Sequence, residues 1–286
     1  MEEEDNLCKL LDEIVLKCEW VLEASMKQNS EDPNLISPIV CLRQISEFAD
    51  GANILIKNNS NDSATVVIRS LFEVELGLRY MIKEDYEIRS LCFLYFYYKK
   101  KEYDLLRGKI GTKEHLELIE ILKNDKNVSL DTIEALKNNT SGDADLKMVQ
   151  TTLSKEIYKD IDEYYNNPKN KNNRNNWFAL LNGPENLSKL TKYLGMHSQY
   201  SINYNLWSQV SHGINIVHNN ITIKDGYAQI LLKRNPKGSR DNAMNTIQIV
   251  RRSLMNYVGT KQPNIIVEFR DWLIEFNSRL EPFLSK

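Results

Sequence analysis

Ala64-Thr65-Val66-Val67-Ile68-Arg69-Ser70-Leu71-Phe72-Glu73-Val74-Glu75-Leu76-Gly77-Leu78-Arg79-Tyr80-Met81 decides the fold class. Apolar residues recur at three- and four-residue spacings around nearly its whole circumference, which predicts a helix enclosed by other helices. Two Arg/Glu pairs interrupt it. Arg69 and Glu73 stand about 40° apart on the helical wheel, and Glu75 with Arg79 occupies a face roughly 120° away. Only one pair can easily face water. Arg before Glu is also the weaker order for an i,i+4 pair, so helix stabilisation alone accounts poorly for Arg69 and Glu73. The plainer reading makes them a structural ion pair tying this helix to its neighbours; the functional reading makes them part of a site.

The rest of the chain is also helical in period. Leu7, Leu10, Leu11, Ile14, Val15, Cys18, Val21 and Leu22 mark a first helix stopping near Asn29-Ser30. A second has Pro38 in its first turn and runs to about Lys57. Asp62 or Ser63 is placed to cap the Arg69 helix. A fourth runs from about Asp85 to Arg107, followed by Glu114 to Lys123, Ser129 to Lys137 and one longer helix over Asp143 to Tyr165. Asn166 to Asn176, Asn-rich and broken by Pro168, reads as a loop with Lys169, Lys171 and Arg174 in it. Asn186 to Leu194 is a short helix closed by Gly195, and another runs from Ser198 or Tyr200 to His212, ended by Gly213. Ile221 to Leu232 around Asp225-Gly226 predicts a hairpin, since Asp-Gly supplies the positive φ angles of a tight turn. Two last helices cover about Arg240 to Val258 and Asn264 to Leu280, with Pro263 at the start of the second. The expectation is an all-α multi-helix bundle in a single domain, 1–286, with one small β-hairpin near 221–232; if it divides, the parts are 1–165 and 177–286.

The 286 residues carry a net charge of −2, so nothing in the global balance announces a nucleic acid or an anionic membrane. Cys8, Cys18, Cys41 and Cys92 lie in apolar helical patterns without C-x-x-C spacing and read as buried, reduced thiols. Met1 to Asp5 is acidic, unlike a signal peptide, and no apolar run reaches the length of a membrane span. The expected location is therefore cytoplasmic, with no membrane partner.

On the later helix Ser201, Asn205, Ser208 and His212 form a polar stripe, with His212 one turn after Ser208. An imidazole there suits a general acid or base; in the plainer reading it helps finish the helix. The site expectation places Arg69, Glu73, Ser208 and His212 in one cleft, with Glu73 orienting Arg69 or His212. Other chemistries find little. His212 and His218 lack a third metal ligand, so neither a metal nor a cofactor is expected. Ser208 lacks the G-x-S-x-G elbow of a hydrolase, and there is no P-loop or dinucleotide fingerprint. Tyr95 and its neighbours read as core and Lys99 to Lys101 as a solvated helix end. Lys233, Arg234, Lys237, Arg240, Arg251 and Arg252 argue modestly for a phosphate-bearing ligand.

At these residues the chain resembles a bacterial all-α family of unknown function marked by an R-S-L-F-E helix and a later S-x-x-S-H-G. Here these are Arg69 to Glu73 and Ser208 to Gly213, with Trp177, Leu187 to Gly195, Tyr200 and Tyr204 between. A more distant similarity is to HEPN (higher eukaryotes and prokaryotes nucleotide-binding) proteins, helical bundles that are often dimeric and often metal-independent ribonucleases in toxin or antiphage systems. Their arginine stands four to six residues before a histidine; here no histidine has one at that spacing, so Arg69 would supply the cation from another helix. The resemblance implies a defence- or toxin-associated effector, a metal-independent endoribonuclease acting on RNA through His212 and Arg69; a homodimer is expected from the extra aromatic surface of long helices such as Leu91 to Tyr103, which isologous pairing would bury. The competing expectation is a non-catalytic helical module binding a nucleotide or protein.

Overall fold

The helix quoted above is enclosed as its pattern predicts, and its neighbours come from both ends of the sequence. In the computed structural model, which describes residues 2–28, 36–137, 143–213, 220–231 and 234–284, the first helices are α1 (Glu2–Gln28), α2 (Ile36–Lys57) and α3 (Asn61–Lys83). Two long helices close the chain, α12 (Ser239–Lys261) and α13 (Ile266–Leu284). α3 packs on α2 and α12, and α1 packs on the same two helices. The shared core holds Leu11, Ile14 and Cys18 of α1, Leu42 and Ile45 of α2, Ile68, Leu71, Phe72 and Leu76 of α3, and Ile247, Val250 and Leu254 of α12. These positions repeat every three or four residues on each helix, so interlocking apolar stripes account for the bundle. The fold is thus all-helical, a multi-helix bundle with one small hairpin.

A polar clasp fixes α3 along α12. Asn61 Nδ2 donates to the Asn235 carbonyl at 2.7 Å and to Ser239 Oγ at 2.8 Å, and Asn242 Nδ2 donates to the Asn61 carbonyl at 3.0 Å. Buried amides need such partners, and here they also set the register between the helices. α3 starts at Asn61 after Ser60, whose side chain makes no capping bond, so Asp62 and Ser63 lie inside the helix and not at its cap.

Two compact units divide the chain, one of 1–90 with 187–286 and one of 91–186. The second unit begins within α4 (Tyr86–Gly108) and contains α5 (Lys113–Lys123), α6 (Leu130–Lys137), α7 (Asp143–Leu153) and α8 (Lys159–Asn166). Thr112 caps α5 by accepting from the His115 amide. The single helix expected over 143–165 is two helices parted by a 3₁₀ turn, Glu156–Tyr158, which lets Tyr158 and Ile161 reach the core. The expected loop at 166–176 is instead a 3₁₀ run, Pro168–Asn175: Pro168 presets the first turn and Asn167 caps it by accepting from the Lys169 amide. Fully buried Tyr95 donates to Asp162 Oδ1 at 2.6 Å and packs on Tyr158 and Tyr165.

The first unit resumes with α9 (Leu187–Tyr193), then α10 (His197–Gln199), a π-helical turn (Tyr200–Tyr204) and α11 (Asn205–Ser211), which run on as one continuous helix. Gly195 and Gly213 take φ of +70° and +69°, closing these helices as read from sequence. Strands β1 (Ile221–Lys224) and β2 (Tyr227–Ile230) pair antiparallel about Asp225-Gly226, both at positive φ. The expected end of α1 at Asn29-Ser30 and the basic Lys233 and His218 lie outside the described residues. Cys18, Cys41 and Cys92 are buried free thiols and Cys8 is half-buried; burial pushes Cys18 and Cys41 up to about 12. No helix among the described residues is long and apolar enough to cross a membrane.

Candidate functional site

The first half of α3 meets later residues than its second half: Arg69 and Phe72 meet Tyr204 and Trp207, whereas Arg79 meets Met196 and Lys83 meets Tyr193. The helix of His212 therefore lies antiparallel beside the helix of Arg69. What joins Arg69 to Glu73 across this seam is Tyr204. Its hydroxyl donates to Glu73 Oε1 at 2.8 Å and accepts from Arg69 Nη2 at 3.0 Å. Arg69 Nε stands 3.4 Å from the same Oε1 without hydrogen-bond alignment, so Nε is buried and unsatisfied. Burial works against the Arg69 cation, but the Tyr204 hydroxyl and Glu73 outweigh it and raise its pKa. Burial likewise raises the Tyr204 phenol.

The π-turn arranges the rings behind this cluster. Its wider bond, from the Asn205 amide to the Tyr200 carbonyl, is the mark of an i→i+5 turn, a rare feature that is frequent at functional sites. Tyr200 and Tyr204 stack with centroids 5.0 Å apart and planes 17° from parallel, and His197 stacks on Tyr200 at 5.9 Å and 19°. Phe72 packs against both Tyr204, at 6.2 Å between centroids, and Trp207, at 5.8 Å. The sequence stripe had centred on Ser208 and His212, and it missed this ladder; the aromatic spacing 200/204 was its one visible signal.

Ser208 and His212 are on the same helix as Tyr204 but not in its cluster. At 1.5 Å per residue they lie about 6 and 12 Å further along the axis, toward the start of α3. His212 is exposed at the helix end, its backbone amide bonded to the Ser208 carbonyl, and neither side chain bonds Arg69 or Glu73. The four expected site residues thus resolve into one pair held by Tyr204 and one pair displaced along the neighbouring helix.

The second Arg/Glu pair takes the inner position. Glu75 is 0% exposed and is gripped by Arg252 of α12, Nε to Oε1 and Nη2 to Oε2 both at 2.8 Å, with Arg79 Nη1 at 3.8 Å. Burial raises the Glu75 pKa despite both arginines, and burial lowers that of Arg79. The basic residues suggested for a phosphate ligand are largely engaged within the protein: Arg234 with the Asn58 carbonyl, Arg240 with the Phe283 carbonyl, Arg251 with Asn277, and Arg252 with Glu75.

Among the described residues no group of three or more His, Cys, Asp or Glu could hold a metal ion. Neither a curated protein nor a solved structure matches the chain. A family model, described as a family of unknown function (DUF5677), matches residues 36–227; this stretch includes Arg69, Glu73, Tyr200, Tyr204 and His212 but not Arg252. That match covers more than half of the 286 residues, and the chain belongs to the DUF5677 family.

Proposed function

We propose that the chain is a helical module that binds a nucleotide at the Arg69–Tyr204 cluster. One observation carries the reading. A half-buried arginine, 24% exposed, keeps Nη1 without a partner among the described residues, beside a ladder of three stacked rings. A guanidinium suits a phosphate and flat rings suit a base, so the pair offers the two chemistries a nucleotide needs. Glu73 and Tyr204 hold the guanidinium in place. Calorimetric titration with nucleoside mono-, di- and triphosphates tests this. Saturable binding that Arg69→Ala weakens about tenfold or more supports it; no saturation with any of them ends it.

A second reading keeps the implied metal-independent ribonuclease of bacterial defence. It is favoured by exposed His212, whose ring takes no hydrogen bond from the described residues. A phosphodiester running along α11 would meet Arg69 and then His212, which would serve as acid or base. Expression in a bacterial host separates the two. Growth arrest relieved by His212→Ala, with the variant still folded, supports the enzyme; equal growth of both versions supports the binding module. Cytosolic action and homodimer formation belong to the same proposal. Exposed Ile223 and Ile230 on the hairpin support the dimer, and a light-scattering mass near 33.3 kDa would end it.

A further inference from the structure

The 91–186 unit has a cationic surface of its own. On α4, Phe96, Lys99, Lys100, Tyr103 and Arg107 recur at three- and four-residue spacings and share one stripe. Their cations lie against rings. Lys100 Nζ is 5.4 Å from the Phe96 centroid, and Arg107 Cζ is 5.8 Å from that of Tyr103. Lys99 Nζ and Arg174 Cζ approach the single ring of Tyr165 at 5.7 and 5.3 Å, joining the α4 stripe to the 3₁₀ run. Residues three apart eclipse in such a run, so Lys171 and Arg174 share a ridge, with Lys169 on the next.

Two features set this surface apart from an ordinary solvated helix end. The run is Pro-Lys-Asn-Lys-Asn-Asn-Arg-Asn, with no acidic residue, and eight residues is long for a 3₁₀ helix. Glu102 pairs with Lys99 at 2.6 Å, but no described carboxylate reaches ion-pair distance of Lys100, Arg107, Lys169, Lys171 or Arg174. Arg174 is also held in place: Nη2 donates to the Asn167 carbonyl at 3.1 Å, while its Nε is buried without a partner.

We propose that this surface binds single-stranded nucleic acid. Five cations meet phosphates, Lys100 and Arg107 on the α4 stripe, which extends about 16 Å from Phe96 to Arg107, and Lys169, Lys171 and Arg174 on the 3₁₀ run. Tyr103, 46% exposed, offers a face on which a base stacks. Exposed Asn172 and Asn175 supply neutral donors and acceptors for bases and sugars. A membrane surface is the poorer match, because the 3₁₀ run has no apolar side chain besides Pro168 to insert.

The test is fluorescence anisotropy of the full chain with an oligouridylate of about 12 nucleotides. Five phosphate contacts predict an affinity falling roughly 100-fold between about 50 and 200 mM salt. Lys169→Gln with Lys171→Gln, both exposed, lowers the slope of log affinity on log salt by about 1.4. Arg174→Ala weakens binding about tenfold, and melting temperature confirms that the variant is folded. Lys113→Gln with Lys123→Gln, elsewhere in the same unit, leaves binding within about twofold. Absence of salt-dependent binding overturns the proposal. So does equal loss from the Lys113/Lys123 pair, equal affinity for a duplex, or tighter binding to anionic vesicles than to the oligomer.

Discussion

The two Arg/Glu pairs of α3 are built from the same residues at the same spacing, yet they occupy opposite environments. Glu75 is removed from water, and both of its oxygens are used by Arg252. Glu73 is 42% exposed, and its link to Arg69 runs through a tyrosine hydroxyl. A saturated, buried pair holds helices in register and has nothing left to offer a ligand. A half-open pair with a spare guanidinium nitrogen is weaker as a brace and better as a receptor. On the proposed reading, structural and receptive chemistry lie two residues apart on one helix.

Arg252→Ala should break the inner pair most severely, because it leaves a carboxylate in the core without its bidentate partner. The expected loss is roughly 3 kcal/mol in urea unfolding. Replacing both partners by apolar residues, Glu75→Leu with Arg252→Met, should recover most of that loss. A double variant as unstable as Arg252→Ala would show that the pair contributes more than mutual compensation.

The pH dependence should also separate the pairs. Burial raises the Glu75 pKa above 4.5 despite Arg252 and Arg79. A raised folded-state pKa means that Glu75's contribution is fully present below the unfolded value and is lost as pH rises through the folded one. Unfolding curves collected upward from about pH 4 should therefore show a decline from this group. Glu75→Gln should flatten it; an unchanged slope would assign the decline elsewhere.

Tyr204→Phe cuts both links of the outer pair while keeping the ring in its stack. It should cost about 1 kcal/mol and leave Arg69 less well oriented for a phosphate. A stability loss without any change in nucleotide affinity would reduce the cluster to a brace. Glu73→Ala should matter least for stability, within about 0.5 kcal/mol by thermal unfolding, since its carboxylate is partly solvated. A loss several times larger would place the outer pair with the inner one.

Features set by neighbours in the chain were legible in the sequence. The long amphipathic helices, the Gly195 and Gly213 stops and the Asp225-Gly226 hairpin follow from local periodicity and turn chemistry. Arg69 and Glu73 were legible too, as charges in an apolar helix. Their partner was not, because Tyr204 lies 135 residues away and reaches them only through antiparallel packing. His212 looked adjacent because Ser208 and His212 are one turn apart, but a shared helix says nothing about which turn faces Arg69. The Asn-rich run read as a loop because its composition lacks an apolar period, although capping by Asn167 and the pre-set turn at Pro168 suffice for a 3₁₀ helix.

By itself the sequence determined that the chain is helical, where most of its helices lie, and that two ion pairs interrupt its most apolar one. Only the tertiary structure decided which pair is buried, because the deciding residue, Arg252, stands 177 positions from Glu75. It also decided that Tyr200 and Tyr204 stack behind Arg69, through a π-turn whose i→i+5 bond spans ordinary helix-forming residues. Helix and turn formation is a contest among adjacent residues. Burial and pairing depend on which distant helices share a core, and that is settled only when the whole bundle packs.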